Sequence, residues 1–485
     1  MNVKTGEGGL LIGGQISHEG GGGRHSHINP HTGAVQASVP LAGADDVDRA
    51  VLAARAAFDD WRAWSPDRRR DVLLRLADLL RVRAEELAAI TALEMGMPVS
   101  FGAMACGSMP VEYFSYYAGW AEKLDGQVIS TYPGDQLNYT VRVPYGVIAV
   151  IIGWNGPMGS ISMKVAPALG AGNCVVIKPP ELTPFTPLLF GELCLEAGIP
   201  PGVVNVIPSN AAGGDALVRH PGVSKISFTG GNATAKYVMA GAAENLTPMV
   251  LELGGKSASI IFPDADIADA IARSSYMGCA ALSGQACSLP TRLLLHEDIY
   301  EDAITTVVQT LLQIQPGDPS NPSTIMGPVA SLGHLNRIVG VIDEAVARGD
   351  GKLLLGGERC IGDLADGHYL EATVFGDVDP MSPLAQNEIF GPVLAVSRFR
   401  DEEDAIAIAN GTPYGLAGYV WTNDIKRGHR MADALEAGAV SVNGLFGNPA
   451  AAPFGGWKGS GWGKEGGAAG IDEFLRTKNV QISLD

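Results

Sequence analysis

The sequence predicts an α/β protein of two units, each built around a parallel sheet, with a small β flap beside them. Three observations predict this. From Gly146, short apolar runs alternate with segments of helical period, and after Gly255 a second such series begins. Ahead of both, residues 123–144 alternate polar and β-branched side chains, as an exposed hairpin does. At 485 residues the chain exceeds one ordinary core, so two or three structural units are expected.

Taken in order, residues 10–15 read as a short strand, and Asn29-Pro30-His31-Thr32-Gly33 as a turn into a second strand. From Ala44 the period becomes helical through Val47, Val51, Ala54 and Phe58, with Asp45 and Asp46 placed to cap. A second helix opens with Ser65 as cap and Pro66 at its first position, and is expected to run through Leu73, Leu76, Leu80 and Leu87 to a stop at Gly96. The flap segment carries Pro133 and Gly134 before Asn138-Tyr139-Thr140-Val141-Arg142-Val143, and residues 479–484 alternate similarly. Neither has an evident partner in its own unit, so an intersubunit sheet using both, and hence a homo-oligomer (dimer or tetramer), is expected.

In the first unit, strands are expected at 147–152, 174–177, 203–207 and 225–228, with helices at 163–169 and 186–197. In the second, strands at 257–262 and 292–296 precede helices at 264–274 and 299–314. Parallel sheets bind ligands beyond the carboxyl ends of their strands, where Trp154-Asn155, residues 178–181, Pro208-Ser209 and Thr229-Gly230-Gly231 all fall.

Composition narrows the function. Apolar content of 46% with 63 glycines fits a packed, turn-rich enzyme, and a net charge of −18 argues against a nucleic-acid partner. The longest apolar run, 146–154, is too short to span a bilayer, and residues 1–9 lack the apolar core of a signal peptide. A cytoplasmic protein with no membrane partner is expected. Six dispersed cysteines without a C-x-x-C pair, and nine histidines without H-E-x-x-H, suggest neither a disulfide framework nor a metal site. His25 and His27, just after Gly20-Gly21-Gly22-Gly23, read as part of a mobile arm.

The chemistry concentrates in Ser283-Gly284-Gln285-Ala286-Cys287-Ser288. A cysteine between small residues in a Gly-rich turn is set up as a nucleophile; attack on a carbonyl then needs oxyanion donors, and release of a thioester needs a base. Glu252, between Leu251 and Leu253 and followed by Gly254-Gly255, is the candidate base, since apolar surroundings raise a carboxyl pKa toward a useful value. The turn Phe228-Thr229-Gly230-Gly231-Asn232-Ala233 is similar to a dinucleotide loop, although it lacks the full G-x-G-x-x-G.

Seven separated stretches, in order, resemble the NAD(P)-dependent aldehyde dehydrogenases: Trp154-Asn155, Lys178-Pro179-Pro180-Glu181, Phe228-Thr229-Gly230, Glu252-Leu253-Gly254-Gly255, Gly284-Gln285-Ala286-Cys287, Glu388-Ile389-Phe390-Gly391-Pro392 and Pro453-Phe454-Gly455-Gly456. The resemblance covers the chain from about residue 29 onward and implies two Rossmann-like α/β domains plus a small β oligomerisation flap. A cofactor-binding domain would span 1–122 and 145–254, a catalytic domain 255–456, and the oligomerisation element 123–144 and 472–485. It implies Cys287 as nucleophile, the Asn155 amide and the Cys287 backbone N–H as oxyanion hole, Glu252 as base, and Lys164 with Glu465 as proton-relay partners. Cofactor contacts would come from Trp154, Lys178, Glu181, Thr229, Gly230, Gly231, Leu253, Glu388 and Phe390, with NAD preferred over NADP because Glu181 would face a ribose phosphate. The reaction implied is aldehyde to carboxylic acid. A semialdehyde substrate, or transfer of the acyl group to coenzyme A or esterase use of the same thioester, stands as the alternative. Retention of Glu252 speaks against the coenzyme A route.

The sequence departs from the family pattern in three places. Gly231 and Asn232 replace a common Ser-Thr pair in the dinucleotide turn; Gly156 replaces an aromatic residue; and residues 446–452 carry small side chains near the expected substrate entrance. With Gly156, Ser160, Met163 and Phe454 as the expected pocket, a bulky aliphatic or aromatic aldehyde is the expected substrate.

Overall fold

The computed structural model describes residues 7–131, 134–445 and 447–484. Residues 1–6, Tyr132, Pro133, Phe446 and Asp485 lie outside that description, and with them the start of the chain, part of the flap turn, one end of the 446–452 loop and the last residue of the tail.

Two large sheets carry the fold. In the first, the central strands Val204–Val206, Cys174–Lys178, Val147–Ile151, Lys225–Thr229 and Met249–Glu252 run parallel in that order. Every residue of Val147–Ile151 and Cys174–Lys178 is buried, which is why these segments read as unbroken apolar runs and not as alternating ones. Short antiparallel strands close both edges: Leu10–Ile12 beside Val204–Val206, and Gly461–Trp462 beside Met249–Glu252. The second sheet orders Lys352–Leu355, Thr373–Gly376, Val393–Phe399, Arg292–His296, Ala258–Ile261, Ala417–Trp421 and Ala439–Val442, parallel except at its first strand. The α/β class is as expected. No helix among the described residues is long and apolar enough to cross a membrane.

Three expectations need correction. The helix expected from Pro66 to Gly96 is two helices, Pro66–Val82 and Ala84–Met95. Arg83 leaves helical geometry at φ −97° and ψ 12°; its N–H closes the first helix on Leu79, and its carbonyl opens the second by accepting from Leu87. The apolar period runs through this break because both helices bury a face, so periodicity alone does not reveal it. The flap segments, expected to have no partner in their own unit and to join an intersubunit sheet, pair with one another inside the chain: Leu475–Ser483 lies antiparallel to Gln136–Pro144, from Leu475 opposite Pro144 to Ser483 opposite Gln136. Alternation signals a strand but is silent about which strand it meets. Finally, the histidines after the glycine run are no mobile arm. Arg24–Ile28 pairs with Val35–Pro40, and His27 is buried with its ring bonded to the Leu182 carbonyl at 2.8 Å.

Candidate active site between the two sheets

The cysteine sits on a loop held by its backbone. Leu282, Ser283 and Gly284 have consecutive positive φ angles of 50°, 53° and 70°, and a side chain at Gly284 would overlap the Gly391 carbonyl. Left-handed geometry at the two non-glycine positions costs roughly 1–3 kcal/mol each and persists only where neighbours enforce it. Here they do. Ser283 donates to Gly327 at 2.7 Å, the Gln285 side chain donates to Leu282 and accepts from the Ala330 amide, and the Tyr419 hydroxyl donates to Ser288 at 2.9 Å. The sequence motif marks Gln285 without revealing that it anchors the loop, which depends on Pro328 and Ala330, more than forty residues away.

Asn155 follows the strand Val147–Ile151 and donates its Nδ2 to the carbonyl of Gln285 at 3.0 Å, which aims the amide at the cysteine loop. Trp154 beside it packs edge-on against Phe390 and His334, with ring centroids at 5.3 and 5.2 Å. His334 was missed from the sequence, since it lies in a helix, Leu332–Arg348, whose only sequence signal is its apolar period.

Glu252 ends the strand Met249–Glu252 and is 3% exposed, yet neither carboxylate oxygen has a hydrogen-bond partner among the described residues. Burial, and then the Glu465 carboxylate, hold its pKa well above the usual range; Lys164 and Lys464 oppose this. Burial first, then Glu252 and Glu388, push the Cys287 thiol up to about 12. Lys164, fully buried on the helix Pro157–Gly170, pairs with Glu465 and donates to Ser227 at 3.1 Å. The expected Lys164–Glu465 pair is therefore present, and it stands within electrostatic reach of Glu252.

The expected cofactor residues lie at the strand ends and turns of the first sheet and on the loop before Val393–Phe399. Gly231 precedes the helix Asn232–Ala243, and a Cβ there would meet nothing within 4 Å, leaving the helix's amino end open to an anion. The Asn232 side chain is turned away to donate to Gly459 at 2.5 Å. Gly230 donates to the Glu252 carbonyl at 3.1 Å, Thr229 ends its strand, and Leu253 donates to Ser460 at 2.9 Å. Lys178 is buried, and burial lowers its pKa to about 8 against the opposing charge of Glu181, which is half-buried. Glu388 accepts from the Gly255 amide at 2.9 Å, and a side chain at Gly254 would overlap its carboxylate. Phe390 has φ +57° and its carbonyl bonds the His334 ring at 2.7 Å. An open helix terminus after the strand Lys225–Thr229, a buried ammonium ending Cys174–Lys178 and a carboxylate held by the Gly255 amide suit the pyrophosphate and ribose hydroxyls of a dinucleotide.

Of the expected pocket residues, Gly156, Ser160 and Met163 share one end of the helix Pro157–Gly170, with the Ser160 amide bonded to the Gly156 carbonyl at 2.9 Å. A Cβ at Gly156 would meet nothing within 4 Å, and one at Gly159 only Met109, at 3.7 Å. In the loop beyond Phe446, Ala450 donates to Glu112 at 2.8 Å and Asn448 accepts from the Tyr113 hydroxyl at 3.3 Å, which moors residues 447–452 to the helix Met109–Ala118. Phe454 is buried in the core and pairs its backbone with Glu465. It therefore touches the Lys164–Glu465 pair through its backbone.

A thiol loop, an amide donor and a buried carboxylate thus stand where the two large, mainly parallel sheets meet the loops after their strands, an arrangement able to act on a small reactive group. The profile of the aldehyde dehydrogenase family matches residues 17–480, and the chain belongs to that family. It is 38% identical over 460 residues to an aldehyde dehydrogenase-like protein of Schizosaccharomyces pombe, covering 94% of this chain and 92% of that protein. It is similar to the betaine aldehyde dehydrogenase of Staphylococcus aureus in complex with NAD+, with a TM-score of 0.96 and 35% identity over 99% of this chain and 98% of that one. It is also similar to the indole-3-acetaldehyde dehydrogenase of P. syringae in complex with NAD+ and IAA, with a TM-score of 0.95 and 37% identity over 99% and 97% of the two chains.

Proposed function

We propose that the protein oxidises a bulky aliphatic or aromatic aldehyde to its carboxylic acid with NAD as hydride acceptor. The observation that carries this reading is Glu252: a buried carboxylate with two unpartnered oxygens, in electrostatic contact with Cys287, is suited to take a proton from water beside an acyl-enzyme.

The Cys287 thiol gives its proton to solvent water as its sulfur adds to the aldehyde carbon, and the carbonyl oxygen becomes an alkoxide. The Asn155 Nδ2 and the Cys287 N–H hold that alkoxide unprotonated, so it collapses with expulsion of hydride and leaves a Cys287 thioester. NAD, when bound, supplies the two-electron acceptor for that hydride. Gly231, Lys178 and Glu181 would hold its pyrophosphate and adenosine ribose, and Glu388 with Phe390 its other ribose. Glu252 then removes a proton from water attacking the thioester; the C–S bond breaks, the carboxylic acid leaves, and the departing thiolate takes a proton back from solvent to restore the thiol. The buried Lys164–Glu465 pair relays that proton onward from Glu252.

The NAD+ complexes of the S. aureus and P. syringae proteins support this cofactor, and the open space at Gly156 supports the bulky substrate. The chain acts in the cytoplasm as a homodimer or a tetramer built from two dimers: Leu475–Ser483 is the edge strand of the flap sheet among the described residues, and its side chains are mostly exposed. Light scattering that found only monomer would refute the assembly. The activity is tested by following NADH at 340 nm with a panel of short, long, aromatic and semialdehyde substrates. The reading requires NADH formation with kcat/KM rising toward bulky apolar aldehydes, and no NADH with any of them refutes it.

A further inference from the structure

Lys464 stands beside Glu252 in an arrangement that no motif marks. Three groups crowd the position a side chain would take at Gly455, where φ is +153°: the Gly463 carbonyl at 2.7 Å, Glu252 Oε1 at 2.8 Å and Lys464 Cδ at 3.0 Å. The lysine stem and the carboxylate oxygen thus converge on one glycine. The Lys464 Nζ then reaches over that glycine to donate to its carbonyl at 2.7 Å. At its other end the Lys464 amide donates to Glu473, whose second oxygen accepts from Lys225 at 2.7 Å. The segment is further fixed because Glu252 lies opposite Gly461 in the antiparallel edge pair.

We infer that Lys464 is a positioning residue for the reaction: it clamps the Gly455 backbone over the Glu252 carboxylate and sets the charge at which that carboxylate works. This rests on the reading of Glu252 as the base. The groups facing Glu252 are Glu465 from the neighbouring loop, Lys164 from the helix Pro157–Gly170, Lys464, the Cys287 thiol, and Tyr113 from the helix Met109–Ala118. Lys164 is already paired with Glu465. Lys464 is bonded instead to a carbonyl, so it is the cation whose charge is not matched by a paired carboxylate among the described residues. Burial lowers the Lys464 pKa and Glu252 raises it, so the two groups support each other's charged forms. A cation whose field reaches a buried carboxylate holds the carboxyl pKa down, and Lys464 acts on Glu252 in that direction together with Lys164.

The test uses the full chain with 4-nitrophenyl acetate, where the burst reports acylation of Cys287 and the steady state reports hydrolysis of the acyl-enzyme. In Lys464→Met the ascending limb of the steady-state pH profile should move up by about one unit, with burst amplitude unchanged, and Lys464→Arg should restore the wild-type midpoint. A wild-type midpoint in Lys464→Met overturns the inference; if that variant does not fold, Lys464→Gln is read in the same way. Glu252→Gln measured alongside separates the two claims. Full steady-state turnover in Glu252→Gln removes the base itself, whereas a stalled Glu252→Gln with an unshifted Lys464→Met removes only the role of Lys464.

Discussion

The amide of Gly230 donates to the carbonyl of Glu252 at 3.1 Å, so the turn expected to receive the cofactor and the residue expected to activate water are joined through their backbones. The bond extends the parallel ladder between Lys225–Thr229 and Met249–Glu252, where Thr229 lies opposite Glu252. The two turns therefore leave adjacent strand ends of one sheet, while the Cys287 loop precedes the strand Arg292–His296 of the other.

Replacing Cys287 by Ala should abolish both aldehyde oxidation and ester hydrolysis while leaving NAD affinity within about twofold, because the thiol is the covalent attachment point and not a cofactor anchor. Steady-state rates and fluorescence titration with NADH check the two halves. Turnover above a few per cent of wild type would exclude Cys287 as the nucleophile.

Glu252→Gln should lower steady-state oxidation by roughly 10²- to 10⁴-fold while keeping a burst of NADH, since oxidation precedes the step that needs the base. The wild-type profile carries the sign of the burial effect. A carboxyl whose pKa is raised loses its proton only at higher pH, so hydrolysis should climb with pH through a midpoint well above the usual carboxylate range. Rapid-quench detection of accumulated acyl-enzyme, with a pH series on wild type, is the measurement; hydrolysis independent of pH from 5 to 9 (roughly the span over which raised carboxyls titrate) would contradict it.

Much of this site was legible because its residues lie at strand ends within short local motifs. Glu252-Leu253-Gly254-Gly255 needs its glycines where Glu388 and the Cys287 carbonyl press against the backbone, and that need is written in the sequence. What could not be read is whatever depends on distant segments meeting. His334 against Trp154, Gln285 bonded to Pro328 and Ala330, and Lys464 folded back toward Glu252 leave no periodic or local mark. The flap shows the same limit. Its alternation announced two strands, but only the folded chain shows that they pair with each other.

Cofactor choice should favour NAD over NADP by at least about tenfold in kcat/KM, equivalent to about 1.4 kcal/mol. Glu181 would accept hydrogen bonds from the ribose hydroxyls and repel a phosphate there. Lys178 is the moderating charge, and its pKa near 8 means that it loses its proton as pH rises through that value. Discrimination against NADP should therefore be stronger at pH 9 than at pH 7, about one unit either side of that midpoint, and Glu181→Ser should narrow it at both. Equal kcat/KM for the two cofactors in wild type would refute the assignment.

Substrate size should be set at Gly156. The glycine follows the oxyanion-hole Asn155, a Cβ there has open space around it, and Gly159 one turn on leaves a second gap facing Met109. Ser160 on the same helix is small and Met163 pliable, and the 447–452 loop is moored to Glu112 and Tyr113. A roomy apolar wall gains about 0.8 kcal/mol for each methylene it buries, close to fourfold in affinity, while a short aldehyde leaves it unfilled. Gly156→Phe should therefore reduce kcat/KM for long aliphatic and aromatic aldehydes by tenfold or more, about the worth of two buried methylenes. Acetaldehyde should change by less than about threefold, because its single methyl does not reach the wall. Parallel kinetics on the two substrate classes decide the matter, since equal losses for both would show that the space at Gly156 is not where the aldehyde's chain lies.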